Sequence, residues 1–306
     1  MQVAPSTRLA DGLRRRALHG PELRAASVFR VQPVRRRWSR LVTGMTARST
    51  RLFHATLGRR WGSSSQYSAT IDATNRAEIE KSDVGRIFLA HTGRLVHKWT
   101  QYFPAYSSQF EQYRVGFPQP DGGLRPLRFL EIGVSHGGSL QLWREYFGPD
   151  AVIYGIDVNP SCAQFDDAIA KVRIGSQADA GFLRSVVEEM GGVDIVLDDG
   201  SHVANHQRAS LDVLLPLVSD GGIYAVEDLH TSYWANFGGG LRRRGAFIEI
   251  LKAVVDDMHD SYHGKSRRVL PTGVGLDCVA VFDSLVFLHK QAPTRPTSVR
   301  IGTDSI

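Results

Sequence analysis

The sequence predicts an α/β fold, a doubly wound and mostly parallel seven-stranded sheet finished by an antiparallel hairpin. Three observations carry that prediction. Short apolar runs alternate with helical periods from about residue 127 to residue 258, the pattern of strands joined by helical crossovers. Two successive runs end in acid pairs, Asp198-Asp199 and Glu227-Asp228, each followed closely by a histidine, His202 and His230. The last two runs, 279–282 and 285–289, are separated only by Asp283 and Ser284, too short a gap for a parallel crossover.

The elements follow in chain order. Residues 1–70 hold 14 arginines against Asp11 and Glu22, a net charge of +12, while residues 71–306 are net −6. The basic character therefore belongs to an Arg-rich extension with little apolar period, expected to lack fixed structure. A transit peptide, or an arm for nucleic acid or a membrane surface, is the alternative, and Met45 is an alternative start. Residues 71–126 read as a helical lead-in, periodic over 78–114 and broken near Pro104, ending in a Pro/Gly-rich stretch at 116–126. The strands of the main domain, 127–292, are 127–132, 152–156, 172–174, 193–197 and 223–226, followed by the hairpin. Helices are expected at 139–146, 182–190, 206–218 with an interruption at Pro216, and 247–258. Residues 293–306 form a tail. No run is long enough to span a bilayer, and Cys162 and Cys278 match no disulfide or zinc spacing, so the expected setting is a reducing, cytoplasmic one.

The functional residues gather at the carboxyl edge of the sheet, where open α/β sheets bind ligands. The first strand runs into Glu131-Ile132-Gly133-Val134-Ser135-His136-Gly137-Gly138-Ser139. Gly133 permits a tight turn, Gly137 and Gly138 permit close approach of a ligand, and Ser139 can cap the following helix. The spacing matches neither a dinucleotide fingerprint nor a phosphate loop. Glu131 would repel a pyrophosphate but can hold an ammonium group. Asp157 ends the second strand, where an acid accepts hydrogen bonds from ribose hydroxyls, and Gly175-Ser176-Gln177-Ala178-Asp179 lies within reach of an adenine. A ribose and an ammonium without phosphates describe S-adenosylmethionine. Ser135, Gly138, Ser139 and Asp198 complete the expected cofactor set, and the acid pairs with their two imidazoles read as a metal site.

At this point the residues resemble a known family. HKWTQYFPAY (97–106), LEIGVSHGGSLQLWREYFGPDAVIYGIDVNP (130–160), DIVLDDGSH (194–202), GGIYAVEDLHTSYW (221–234) and FGGG (237–240) are similar to the macrocin and mycinamicin type of metal-dependent sugar O-methyltransferases, which are class I methyltransferases with a Rossmann-like fold. The resemblance covers roughly residues 78–290. It implies that Asp199, Glu227 and Asp228 ligate magnesium, with manganese as a second choice, that His202 is the general base, and that Glu131, Gly133, Asp157 and Gln177 contact the cofactor. Ser176 stands where the family more often has an acid.

The expected reaction is methyl transfer to a sugar hydroxyl of a glycoside, polysaccharide or glycolipid. Such a hydroxyl is a weak nucleophile at neutral pH, so a base and a metal-chelated diol address the chemical problem. His230, Tyr233 and Trp234 are candidate substrate contacts, with Gly238 to Gly240 letting their loop move, and the enzyme could form a homo-oligomer. Trp99, Tyr102, Phe103 and Tyr106 could line a sugar wall but sit at core spacing. The alternatives are a non-sugar diol or phenol as acceptor, or RNA bound through the basic arm. The net acidity of residues 71–306 opposes nucleic acid as a partner.

Overall fold

The computed structural model describes residues 71–264 and 268–303; the Arg-rich extension lies outside the described residues. The lead-in holds α1 (Ala73–Ile79), α2 (Asp83–Ala90) and α3 (Tyr102–Phe110), with irregular backbone at 91–101 between the last two. The helical period expected over 78–114 with a break near Pro104 is instead interrupted at 80–82 and at 91–101. Asp72 and Ser82 act as N-caps that start α1 and α2, their side chains accepting backbone N–H groups. Pro104 does not break the lead-in as expected. It is the third residue of α3, in the first turn, where a backbone N–H has no partner within the helix to lose. The Pro/Gly-rich stretch folds into a small antiparallel pair, β1 (Phe117–Pro118) with β2 (Leu124–Arg125).

The main sheet has seven strands: β3 (Arg128–Ile132), β4 (Val152–Asp157), β5 (Lys171–Ile174), β6 (Val193–Asp198), β7 (Val218–Val226), β8 (Gly275–Phe282) and β9 (Leu285–Gln291). Their order is β5-β4-β3-β6-β7-β9-β8. The pairs through β7 are parallel, and β9 runs antiparallel to both β7 and β8, as the short gap at Asp283 and Ser284 requires. The helices α4 (Gly138–Phe147), α5 (Ala180–Met190), α6 (Ala204–Leu214) and α7 (Phe247–Met258) supply the layers, and a short α8 (Asp260–His263) follows α7. Pro216 lies in a 3-10 turn at 215–217 that ends α6 early.

Two strands exceed their sequence signal. β7 begins at Val218, not at residue 223, because Gly221 and Gly222 let an irregular stretch pair beside β6; a Cβ at Gly222 would lie 2.2 Å from the Asp194 carbonyl. β8 extends back to Gly275 through pairing with β9, without an alternating apolar pattern to announce it.

Two apolar clusters cover the faces of the sheet. One unites Phe129, Leu197 and Phe287 of the strands with Trp143 and Phe147 of α4 and with Tyr102, Phe103, Tyr106 and Phe110 of α3. The other joins Val196, Tyr224 and Leu288 to α5, α6 and α7. The lead-in helix α3 is therefore core, with Tyr106 and Phe110 set edge-on to Trp143 at 5.1 and 5.8 Å. That packing brings the residues just before α3 to the carboxyl edge of β3, β6 and β7. Among the described residues no helix is long and apolar enough to cross a membrane.

Candidate active site

The carboxyl ends of β6 and β7 are paired in register, Asp198 against Val226, so the acid pairs that follow them come together. Asp199 directly follows β6 and His202 lies three residues on. Glu227 and Asp228 directly follow β7. Among the described residues, one group of side chains could hold a metal: a donor atom each from Asp199, His202 and Asp228, all within 4.8 Å of one another. His202 Nε2 is 3.5 Å from Asp228 Oδ2 and 3.9 Å from Asp199 Oδ1. Hard carboxylate oxygens with one imidazole fit magnesium or manganese better than a soft metal. The site turns are held in unusual backbone: His202 has φ 57° and Asp228 φ 55°, the left-handed region.

The lead-in supplies the inner contacts of this cluster. Lys98 Nζ lies 2.6 Å from Asp199 Oδ2, 2.7 Å from Glu227 Oε1 and 3.9 Å from Glu131 Oε1. Burial alone would lower the pKa of this ammonium, but Asp199, Glu227 and Glu131 more than compensate and hold it protonated. Tyr106 donates its hydroxyl to Glu227 Oε1 at 2.6 Å, and Tyr102 to Asp228 Oδ1 at 2.8 Å; burial and these carboxylates raise both phenols. Trp99 Nε1 donates to the same Asp228 oxygen at 3.1 Å. Glu227 is thus held by Lys98 and Tyr106, while Asp199 and Asp228 face His202.

Around the cofactor loop, Glu131 is fully buried and accepts hydrogen bonds from Ser139 Oγ at 2.7 Å and Trp143 Nε1 at 3.2 Å. Its burial pushes the carboxyl up to about 7. Ser139 does not cap α4: the N-cap is Gly137 in left-handed conformation, and Ser139 sits inside the first turn with its hydroxyl on Glu131. The glycines answer to protein neighbours. A Cβ at Gly133, where φ is 99°, would lie 2.1 Å from the Asp199 carbonyl, and one at Gly138 would lie 2.3 Å from the carbonyl of Arg94. Asp157 accepts the backbone N–H of Ser135 at 3.0 Å and of Asn159 at 2.8 Å.

Gln177 and Asp198 form a buried pair behind the loop. Gln177 Nε2 donates to Asp198 at 3.0 Å while its Oε1 accepts the Ser201 N–H at 2.7 Å. Asp198 also accepts from Ser210 Oγ at 2.6 Å and the Tyr224 hydroxyl at 3.0 Å. Both side chains are engaged within the protein and fix the loop that carries Asp199 and His202.

On the outer side, Trp99, His230 and Trp234 form a run of edge-on rings at centroid distances of 5.3 and 4.8 Å. His230 Nδ1 shares a hydrogen bond with Ser284 Oγ at 2.6 Å, and burial lowers its pKa. Trp234 and Tyr233 are 40% and 46% exposed, unlike Tyr102 and Tyr106, which are fully buried. Sequence reasoning missed Lys98, Ser210, Ser284 and Tyr224. Lys98 lies in the irregular stretch before α3, so the helical spacing that relates Tyr102 to Tyr106 gave no signal for it.

No family model matches the chain. Among curated proteins it is 38% identical over 204 residues to the 8-demethyl-8-(2-methoxy-alpha-L-rhamnosyl)-tetracenomycin-C 3'-O-methyltransferase of Streptomyces olivaceus, covering 63% of this chain and 50% of that protein. It is 36% identical over 201 residues to the mycinamicin VI 2''-O-methyltransferase of Micromonospora griseorubida, covering 62% and 48%. The matched part of the chain is homologous to sugar O-methyltransferases of the mycinamicin, macrocin and tetracenomycin type. The chain spans about half the length of the curated relatives it matches. Among solved structures, the MycE methyltransferase of the mycinamycin biosynthetic pathway, in complex with Mg, SAH and mycinamycin VI, matches with a TM-score of 0.57 and 30% identity. The match covers 71% of this chain and 54% of MycE. The fold of this sugar O-methyltransferase relative is accordingly that of the class I methyltransferases.

Proposed function

We propose that this chain is an S-adenosylmethionine- and magnesium-dependent O-methyltransferase acting on a sugar hydroxyl of a glycoside. One observation carries the reading: Asp199, His202 and Asp228 converge on a single gap beside the loop that follows β3. The homology to sugar O-methyltransferases and the match to a structure solved with Mg and SAH point the same way.

In this reading Asp199, Asp228 and Glu227 hold the metal. Glu131 takes the ammonium of the cofactor, the backbone of Gly133 to Ser135 with Gly138 and Ser139 lines its amino-acid end, and Asp157 takes the ribose. Gln177 and Asp198 position the 198–201 loop between cofactor and metal. When bound, S-adenosylmethionine supplies the methyl group, and magnesium orients adjacent hydroxyls and lowers their pKa. His202 accepts the proton of the attacking hydroxyl, and the half-exposed Trp234 and Tyr233 with His230 bind the sugar. The buried lead-in excludes water from the carboxylate cluster. The acceptor is a small glycoside, or the sugar of a polysaccharide or glycolipid. Nucleic acid is not proposed as a partner, since residues 71–306 are net acidic. The free thiols of Cys162 and Cys278 agree with a reducing, cytoplasmic setting.

The test is incubation with methyl-labelled S-adenosylmethionine, magnesium and a panel of partly methylated glycosides. Label should enter a sugar hydroxyl, stop on addition of EDTA and return with excess magnesium. Transfer that ignores chelation, or that goes only to RNA, would overturn the proposal.

A further inference from the structure

The turn that carries Tyr233 and Trp234 runs on into a basic loop at 238–245 that the proposed reaction leaves without a role. Backbone bonds tie this loop to the aromatic wall: the Gly239 N–H donates to the Trp234 carbonyl at 2.9 Å, and the Gly240 N–H to the Ser232 carbonyl at 2.8 Å. The approach is close enough to need glycine, since a Cβ at Gly239 would lie 2.3 Å from the Ser232 carbonyl oxygen. Phe237, just before the loop, has its ring centred 6.0 Å from Trp234 and 6.5 Å from His202. Arg242, Arg243 and Arg244 therefore sit on a loop joined directly to the wall and, through Phe237, to the candidate base.

All three arginines are exposed, and among the described residues none of them meets a carboxylate. The Arg243 side chain donates only to the Gly239 carbonyl, at 3.1 Å. Elsewhere in the domain Arg94, Arg125, Arg128 and Arg173 are each paired with an acid. Between Asp228 and Glu249 the chain has three arginines and no acid, a net of +3, within residues 71–306 that are net −6. Arg242 has φ 56°, in the left-handed region where glycine is unstrained and other residues are not. Like charges on three consecutive residues repel one another, and the strained backbone adds to that cost. An anion among the guanidinium groups offsets both, because their planar forks match the oxygens of a carboxylate or phosphate. We propose that the 238–245 loop selects the acceptor, a glycoside that carries an anionic group, carboxylate or phosphate ester, beside the sugar to be methylated. The proposal rests on the sugar O-methyltransferase reading and narrows its substrate class.

The test measures binding to the full chain, with S-adenosylhomocysteine and magnesium present, by ligand-observed nuclear magnetic resonance. The probes are a panel of sugars, each linked to a 4-carboxyphenyl, a 4-phosphonooxyphenyl or the neutral 4-carbamoylphenyl group. For the sugars that bind, the wild type should hold a charged glycoside about five- to tenfold more tightly than its neutral match at low salt, since exposed ion pairs contribute up to about fivefold each. Added salt should erase the difference, and the tighter of the two charged forms tells carboxylate from phosphate. The double variant Arg242→Gln, Arg244→Gln should bind all three forms within about twofold of one another, while Arg242→Lys, Arg244→Lys should keep the preference. Affinity for S-adenosylhomocysteine checks that each variant is folded. Equal binding of charged and neutral forms by the wild type, or a preference that survives in the glutamine variant, would overturn the proposal. Displacement of the charged glycosides by an RNA oligonucleotide would also overturn it, by assigning the loop to nucleic acid. Failure of every sugar in the panel to bind while S-adenosylhomocysteine does would instead overturn the glycoside reading on which the proposal stands.

Discussion

His202 and Asp228 adopt left-handed backbone that side chains other than glycine seldom take, at a cost of order 1–3 kcal/mol each. The surrounding bonds hold them there. Asp228 accepts from Trp99 and Tyr102, and the loop of His202 is pinned through Ser201 to Gln177. Strain placed at these two residues aims Nε2 of His202 at Asp228, 3.5 Å away. In the proposed reaction His202→Ala should lower turnover by roughly 10²- to 10⁴-fold, the usual contribution of a general base. Cofactor affinity, measured by calorimetry, should stay within twofold, because no cofactor contact in the proposed set involves His202. Equal turnover in the variant would remove His202 from the chemistry.

At the scale of elements, residues 91–101 act as a strap between α2 and α3. Arg94 anchors its start, with an ion pair to Asp167 at 2.6 Å and its guanidinium 4.8 Å over the Phe165 ring. The Arg94 N–H donates to Gln141 of α4 at 2.7 Å, and the carbonyls of Arg94 and Leu95 pass over Gly138. The far end of the strap delivers Lys98 and Trp99 to the carboxylates of Asp199 and Asp228. A partly exposed ion pair and one cation–π contact together contribute about 1–2 kcal/mol. Arg94→Ala should therefore weaken cofactor binding by up to about tenfold and speed proteolytic cleavage within 91–101, with helix content by circular dichroism unchanged. Cofactor affinity equal to the wild type would separate the strap from the cofactor loop.

The elements differ in how far the sequence disclosed them. Buried parallel strands such as β6 are continuous apolar runs, so their patterns are plain. At Pro104 the lead-in departs from its sequence signal, because a proline in the first turn and a proline that ends a helix look alike until the N-cap is known. The start of β7 and the first half of β8 hold too few apolar residues to make a pattern: Val218 and Leu276 pack into the second cluster, and the pairing of β7 with β6 is irregular between Val218 and Ile223.

Over the whole molecule, the two ends of the sheet have different work. The carboxyl edge concentrates buried charge for the proposed chemistry, and the opposite edge is tied down at Asp194. This fully buried carboxylate accepts from Arg125 of the β1-β2 pair, from Arg128 of β3 and from Ser219 of β7. Burial alone would raise its pKa, but the hydrogen bonds from Arg125 and Arg128 prevail and lower it. A depressed carboxyl contributes stability above its unfolded value of about 3.9, and that contribution is lost as pH falls through the folded value. Asp194→Ala should cost about 3 kcal/mol or more at pH 7 in urea denaturation, because two arginines lose their partner. The difference from the wild type should shrink as pH falls below about 4; a difference independent of pH would mean that packing, not the ion pairs, is responsible.

The parallel strands, the hairpin that ends the sheet and the acids at the strand ends are legible in the chain, because alternation, short gaps and strand-end residues are local properties. The sequence also marked the glycine turn at Gly133 and the likeness to sugar O-methyltransferases. The partners of those acids come from long-range packing. Packing of α3 into the core carries Lys98, Tyr102 and Tyr106 across more than 90 residues of chain to Asp199, Glu227 and Asp228. On the other face of the sheet, Gln177, Ser210 and Tyr224 close around Asp198 from three separate elements. Contacts of that range depend on how layers stack, and no spacing along the chain encodes them.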